Sequence, residues 1–294
     1  MSEQQVSALL QARYGAYLPS PSSSSSSTTS SPSDPTIATL LAHRSVREFL
    51  PSKPLPENTI DLLVAAGQSA PTSSNLQTWS VIALTDPSVK DRAARLAADQ
   101  DFIREAPLFL VFCADLQRLT AVSRLRGTAG LGLEYTDTFL MAAMDAALAS
   151  QNVVVAAEAL GLGACHVGAV RNRPHEMAEL LGLPHRVIAL VGLAIGWPKH
   201  ESTGQVKPRL GADEVLHRER WGGPGGDDRS NGSAQQEARF SRYDDVLATF
   251  NAGEKREGVP AWTERSAKRM EGPATLSGRH IWREALKERG FDMK

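Results

Sequence analysis

The sequence predicts an α+β fold. Segments with helical periodicity occur beside short β-branched runs, and those runs are not spaced one helix apart as a regular βαβ succession would require. No glycine fingerprint opens a helix after any of them. The 294 residues are 41% hydrophobic and 22% charged, enough to bury a full core as one large domain or two small ones.

Residues 1–36 read as an extension. A short amphipathic piece carries Val6, Leu9, Leu10, Tyr14 and Tyr17, and residues 19–35 are Ser, Thr and Pro apart from Asp34. Such a run has no apolar surface to offset its ordering entropy, so it is expected to be flexible. In "TIATLLAHRSVREF", Ile37, Leu40 and Leu41 fall at helical spacing, so a helix ending near Ala42 leaves residues 43–47 on the following turn. "PENTIDLLVAAGQSA" is a helix with Pro56 near its start and Gly67 near its end. "WSVIALT" (79–85) and "LFLVFCAD" (108–115) read as strands, with a helix in "PSVKDRAARLAADQ" between them. Residues 135–160 form a long helix, apolar on nearly every face, which belongs in a core or between subunits; Gly161 and Gly163 end it. After a short helix in "PHEMAELLGL", "VIALVGLAIGW" (187–197) reads as a fully buried strand. "GGPGGDDRSNGS" (222–233) is a loop, and helical pieces such as "YDDVLATF" and "HIWREALKERGF" follow it. These pieces carry charge on most faces, so they must wrap a core, either their own subunit's or a partner's.

Lys+Arg 32 against Asp+Glu 33 gives a formal net charge of −1, which argues against nucleic acid as a partner. Cys113 and Cys165 lie in apolar runs and read as buried, reduced thiols in a cytoplasmic protein. Cys165-His166 lacks a second Cys/His pair at ligand spacing, so no metal is expected. No apolar stretch reaches the ~18 residues of a membrane span once its interruptions are counted, and the N-terminus has no secretory pattern. GxxxxGK[ST], GxSxG and HExxH are absent. "GLGACHVGA" (161–169) comes nearest to a nucleotide loop, but it follows a helix instead of preceding one.

Four polar clusters remain, each at the edge of an apolar element. They are His43-Arg44-Ser45-Val46-Arg47, "APTSSNLQ" with Thr72 and Ser73, "ACHVGAVRN", and "VKPRL" with Lys207 and Arg209 around Pro208. Forked cations beside hydroxyls are what a phosphate needs, and Gly168 would let backbone approach a flat ring. Singly, each cluster also reads as a solvated turn.

Their order along the chain resembles the nitroreductase family of flavin enzymes. Within it, the resemblance is to the branch of oxygen-insensitive NADPH nitroreductase A and the flavin reductase P of luminous bacteria. The matching stretches are "HRSVREF", "TSSNLQTWSVIALTD", "FLVFCADLQR", "DAALASQNVVVAAEALGLGACHVGAVRN", "ALVGLAIGWP", "KPRL" and "EKREGVPAW". The resemblance implies a central, mostly antiparallel sheet flanked by helices in an intertwined homodimer, with FMN at the subunit interface. It implies ping-pong turnover, in which NADPH (or NADH) reduces the flavin and a nitroaromatic, quinone or free flavin then takes two electrons. His43, Arg44, Ser45 and Arg47 would hold the FMN phosphate and ring edge, and Thr72 and Ser73 would add hydroxyl contacts. Gln100 would lie near the flavin, His166, Val167, Gly168 and Ala169 along its ring, and Lys207 with Arg209 would complete the anion site. Lys255 and Arg256 are candidates for holding NADPH. His166 and Ala169 stand where relatives often have tyrosine and a second glycine. The resemblance places the FMN-binding core at 37–221 and an arm around the partner at 222–294. It leaves two alternatives open: a non-catalytic FMN-binding or sensing protein, and a flavin reductase that supplies reduced FMN to a partner monooxygenase.

Overall fold

The computed structural model describes residues 35–199, 205–221 and 234–294, with Ala8 and residues 10–12. Residues 19–34, most of the N-terminal amphipathic piece and the loop 222–233 lie outside them. In chain order the elements are α1 (Pro35–Ala42), α2 (Thr59–Gln68), β1 (Trp79–Leu84), α3 (Pro87–Leu96), α4 (Asp101–Glu105), β2 (Leu108–Asp115), α5 (Gln117–Leu125) and α6 (Thr136–Ala159). There follow β3 (Gly163–Val167), α7 (Pro174–Leu180), β4 (Val187–Gly196), α8 (Ala212–Val215), α9 (Ala234–Gly253), α10 (Trp262–Arg269) and α11 (Trp282–Glu288). Two compact units result: residues 45–201 with 276–294, and residues 1–44 with 202–275.

The first unit is built on a four-stranded sheet of order β1-β2-β4-β3, every pairing antiparallel. The α+β expectation holds. All eight residues of β2 are buried, because both faces of this central strand are covered. Leu108, Leu110, Phe112 and Ala114 join one cluster with Ala146, Ala149 and Val153 of α6. Phe109, Val111 and Cys113 join the other with Ala93 of α3, Ile103 of α4 and Met177 of α7. Period-two alternation therefore feeds two cores at once, which is why the run is apolar throughout. Each large side chain so buried contributes about 1.5–3 kcal/mol.

Helix α6 departs from its sequence reading in two ways. One face is buried, but Leu140, Met144 and Leu148 remain 50, 56 and 45% exposed. The helix is also long and apolar enough by length and composition to cross a membrane, against the expectation that no stretch would be. Here it packs against all four strands and α2 as a core helix. Its C-terminus is closed by Gly161 at φ 76°, where Gly161 N–H donates to Glu158 and Leu162 N–H to Ala157. That left-handed closure needs glycine. Gly163 has a different task, described below. Residues 276–294 run along this same unit. Arg279 Nε donates to Asn172 Oδ1 at 2.8 Å, and Trp282 Nε1 to the Arg171 carbonyl at 2.8 Å.

The second unit has a smaller core, in which Tyr243, Leu247 and Phe250 of α9 pack with Leu210 and Trp262.

Candidate active site

Several of the candidate residues gather around β3, an edge strand of the sheet. This strand escaped the sequence reading, where 161–169 is only a glycine-rich loop. Its five residues become a strand by pairing with β4, from Gly163↔Gly196 to Val167↔Gly192. Its outer edge takes up the segment after α1. Ser45 bridges Ala164 in parallel sense, and Val46 N–H donates to the Ala164 carbonyl at 3.0 Å. Gly163 makes the approach possible, since a Cβ there would lie 2.7 Å from Val46 Cβ. It is a contact glycine within a strand, not the helix terminator the sequence suggested.

Ser45 and Arg47, both exposed, thus line the edge of β3. Burial pushes the Cys165 thiol above its ordinary range, and the Arg47 charge and a hydrogen bond from the Ser45 hydroxyl work in the opposite direction. Cys165 is therefore a neutral thiol beneath a rim of one cation and one hydroxyl. Cys113, pushed up to about 12 by burial, is likewise inert. Among the described residues Arg47 has no ion pair.

His166 comes next on the strand. It is exposed while its neighbours Cys165 and Val167 are buried. Its Nε2 lies 3.3 Å from Ser150 Oγ on α6. The Ser150 hydroxyl donates to the Ala147 carbonyl at 2.9 Å, which leaves its oxygen able to accept from His166 Nε2. Gly168 and Ala169 open the short 3₁₀ turn Gly168–Arg171. The Arg171 guanidinium there donates to the Leu190 carbonyl, and burial lowers its pKa.

Thr72 and Ser73 lie in the connection between α2 and β1, where Ser74, Asn75 and Gln77 have φ of 48, 55 and 52°. Three non-glycine residues in the left-handed region within four positions are costly unless the surroundings hold them there. The restraint is Asp145 of α6, which is 2% exposed. Its Oδ1 accepts Ser73 N–H at 3.0 Å; its Oδ2 accepts Thr78 N–H at 3.1 Å and the Thr78 hydroxyl at 2.7 Å.

In this unit, then, α6 reaches both the Thr72–Ser73 loop and His166. Gln100 differs: its carboxamide donates to the Ala97 carbonyl at 2.7 Å, in the turn between α3 and α4. The remaining candidates belong to the other unit. There His43 and Arg44 follow α1, and Arg209 Nη1 turns back to the Lys207 and Pro208 carbonyls at 3.0 and 3.3 Å. The Tyr243 hydroxyl fixes this stretch by donating to Pro208 at 3.1 Å. Lys255, at φ 55°, and Arg256 stand exposed past the end of α9, with Arg256 Nη2 3.9 Å from Glu254 Oε2.

Asp145 and Ser150, which hold the Thr72–Ser73 loop and His166, are residues that sequence reasoning missed. A signal for Asp145 was present: a carboxylate in the middle of an apolar helix must have donors. Among the described residues, no group of three or more His, Cys, Asp or Glu could hold a metal ion.

Residues 40–197 match the profile of the nitroreductase family, and residues 207–294 match that of the nitroreductase family C-terminal domain. The chain belongs to the nitroreductase family. It is 42% identical over 183 residues to an FMN reductase (NADPH) of Bacillus subtilis, covering 62% of this chain and 72% of that protein. It is 35% identical over 216 residues to an oxygen-insensitive NADPH nitroreductase of Salmonella typhimurium, covering 74% and 82%. Among solved structures, NfrA1 of B. megaterium superposes with a TM-score of 0.78 at 34% identity, covering 87% of this chain and 99% of that one.

Proposed function

We propose that this nitroreductase-family chain is an FMN-dependent NAD(P)H oxidoreductase that delivers two electrons from NADPH to nitroaromatics, quinones or free flavin. The activities named for its relatives support the reading. The observation that carries it is the rim on β3, where Ser45 and Arg47 offer a hydroxyl and a forked cation that has no ion pair among the described residues. That donor set fits a phosphate monoester. When bound, FMN supplies the two-electron chemistry, so no side chain need act as a nucleophile.

The chain's own residues bind and orient. Ser45 and Arg47 hold the phosphate, Thr72 and Ser73 supply hydroxyls, and His166 through Ala169 form the wall along the ring. His166 Nε2 lies 3.3 Å from the Ser150 hydroxyl, which fixes the imidazole's rotation. His43, Arg44, Gln100, Lys207 and Arg209 are assigned to FMN, and Lys255 and Arg256 to NADPH, on the family pattern alone. We also assign a homodimer: Leu140, Met144 and Leu148 recur every four residues on one exposed face of α6, an apolar stripe suited to a second copy. Two free, buried cysteines suit a reducing, cytoplasmic setting.

The test is anaerobic stopped-flow titration of the purified yellow protein with NADPH and then NADH. Bleaching of the flavin absorbance, followed by recovery on adding a quinone, is the expected result. A colourless protein that takes up no FMN overturns the reading.

A further inference from the structure

We infer that Asp145 is a positioning residue for the flavin pocket: from α6 it holds the left-handed Thr72–Thr78 loop in the conformation that presents Thr72 and Ser73. The inference rests on the reading that these hydroxyls meet FMN.

Several observations converge on Asp145. The loop carries left-handed Ser74, Asn75 and Gln77, none of them glycine, so its shape is not its own preference. One carboxylate collects three donors from its two ends, Ser73 N–H at 3.0 Å and Thr78 N–H and hydroxyl at 3.1 and 2.7 Å. Ser73 Oγ meets Met141 Sδ at 3.2 Å, one helical turn before Asp145, so the same face of α6 grips the loop twice. Five residues further on, a rise of about 7.5 Å, Ser150 receives His166. One rigid helix thereby sets the spacing between two walls of the pocket. A buried carboxylate is an expensive way to fasten a core, since apolar packing would do so without desolvating a charge. Its use here points to a shape the loop must keep.

Asp145→Asn preserves the volume but turns one acceptor into a donor facing N–H groups. FMN release from the holoenzyme, followed by recovery of flavin fluorescence on dilution, should then show at least about tenfold weaker binding, as expected for losing charge-assisted hydrogen bonds. The visible absorption envelope of the remaining bound flavin should shift as well. Adding Ser74→Gly and Gln77→Gly should restore most of the affinity, because glycine adopts these angles without a clamp. Thr78→Val, a milder change, should weaken FMN in the same direction by a smaller factor. Wild-type FMN affinity and spectrum in both Asp145→Asn and Thr78→Val would overturn the inference. So would a loss that the glycines leave untouched, since that marks general destabilisation. If the wild-type protein itself holds no FMN, the underlying functional reading fails instead.

Discussion

The two units of this chain hold their candidate residues in opposite ways. Around β3, the candidate site residues are fixed by buried neighbours: Ser45 by its bridge to Ala164, Ser73 by Asp145, His166 by Ser150. In the other unit, Arg209 donates to the carbonyls of Lys207 and Pro208 beside it in sequence, and Arg256 has Glu254 at 3.9 Å. The first arrangement fixes geometry, as a resident cofactor requires. The second leaves Arg256, proposed to meet NADPH, on an exposed turn past α9, a setting that suits a ligand that comes and goes.

The largest expected effect separates the two cores. Phe112→Ala, in the double-faced sheet, should cost about 3–5 kcal/mol, and Leu247→Ala, in the small α9 cluster, about 2 kcal/mol at the low end of its range. Chemical denaturation of the two variants measures this; equal losses would break the comparison. Next, Arg47→Ala should weaken FMN binding by roughly 10–100-fold, the value of a lost charge-assisted contact, with the far-UV spectrum unchanged. Arg256→Ala should raise the KM for NADPH by about tenfold and leave FMN affinity and kcat unchanged, because an exposed cation away from the reacting atoms contributes uniform binding. Steady-state kinetics with the flavin-loaded protein decides between them; if Arg256→Ala loses flavin, the division of labour is wrong.

The smallest effect concerns pH. Lys90 is buried in the first unit, its ammonium bonded to the Ala106 and Arg104 carbonyls at 2.5 and 3.3 Å, and burial lowers its pKa. The native state therefore releases this proton before the unfolded chain does. The lysine's destabilising contribution is full at neutral pH and relieved as pH rises towards its ordinary value of 10.5. Lys90→Met should remove that alkaline gain, read as a rise in wild-type-minus-variant stability between pH 8 and roughly 10.5 in paired melts.

Much of this was legible in the sequence where periodicity is strong. The helices α2, α3 and α6 and the strands β1, β2 and β4 follow directly from apolar spacing. β3 was not legible, because Gly163–Val167 has no alternating pattern and exists as a strand only through β4. Non-local pairing of that kind leaves no local signal. The rim residues Ser45 and Arg47 were visible as a basic turn, but their partner Cys165 was read only as a buried thiol. Left-handed Ser74, Asn75 and Gln77 could not be foreseen, since nothing in "SSNLQ" demands those angles. Asp145 was in plain view, hidden by the apolarity around it.

The bridge between Ser45 and Ala164 also bears on the order of folding. It joins positions far apart in sequence and needs β3 already laid against β4, so its loop-closure cost comes late. The rim proposed to hold the phosphate is thus expected to close late in folding. FMN would find nothing to grip on the unfolded chain and would leave the folding rate as it is. By holding the finished edge together it would slow unfolding instead, acting as a latch on the completed protein.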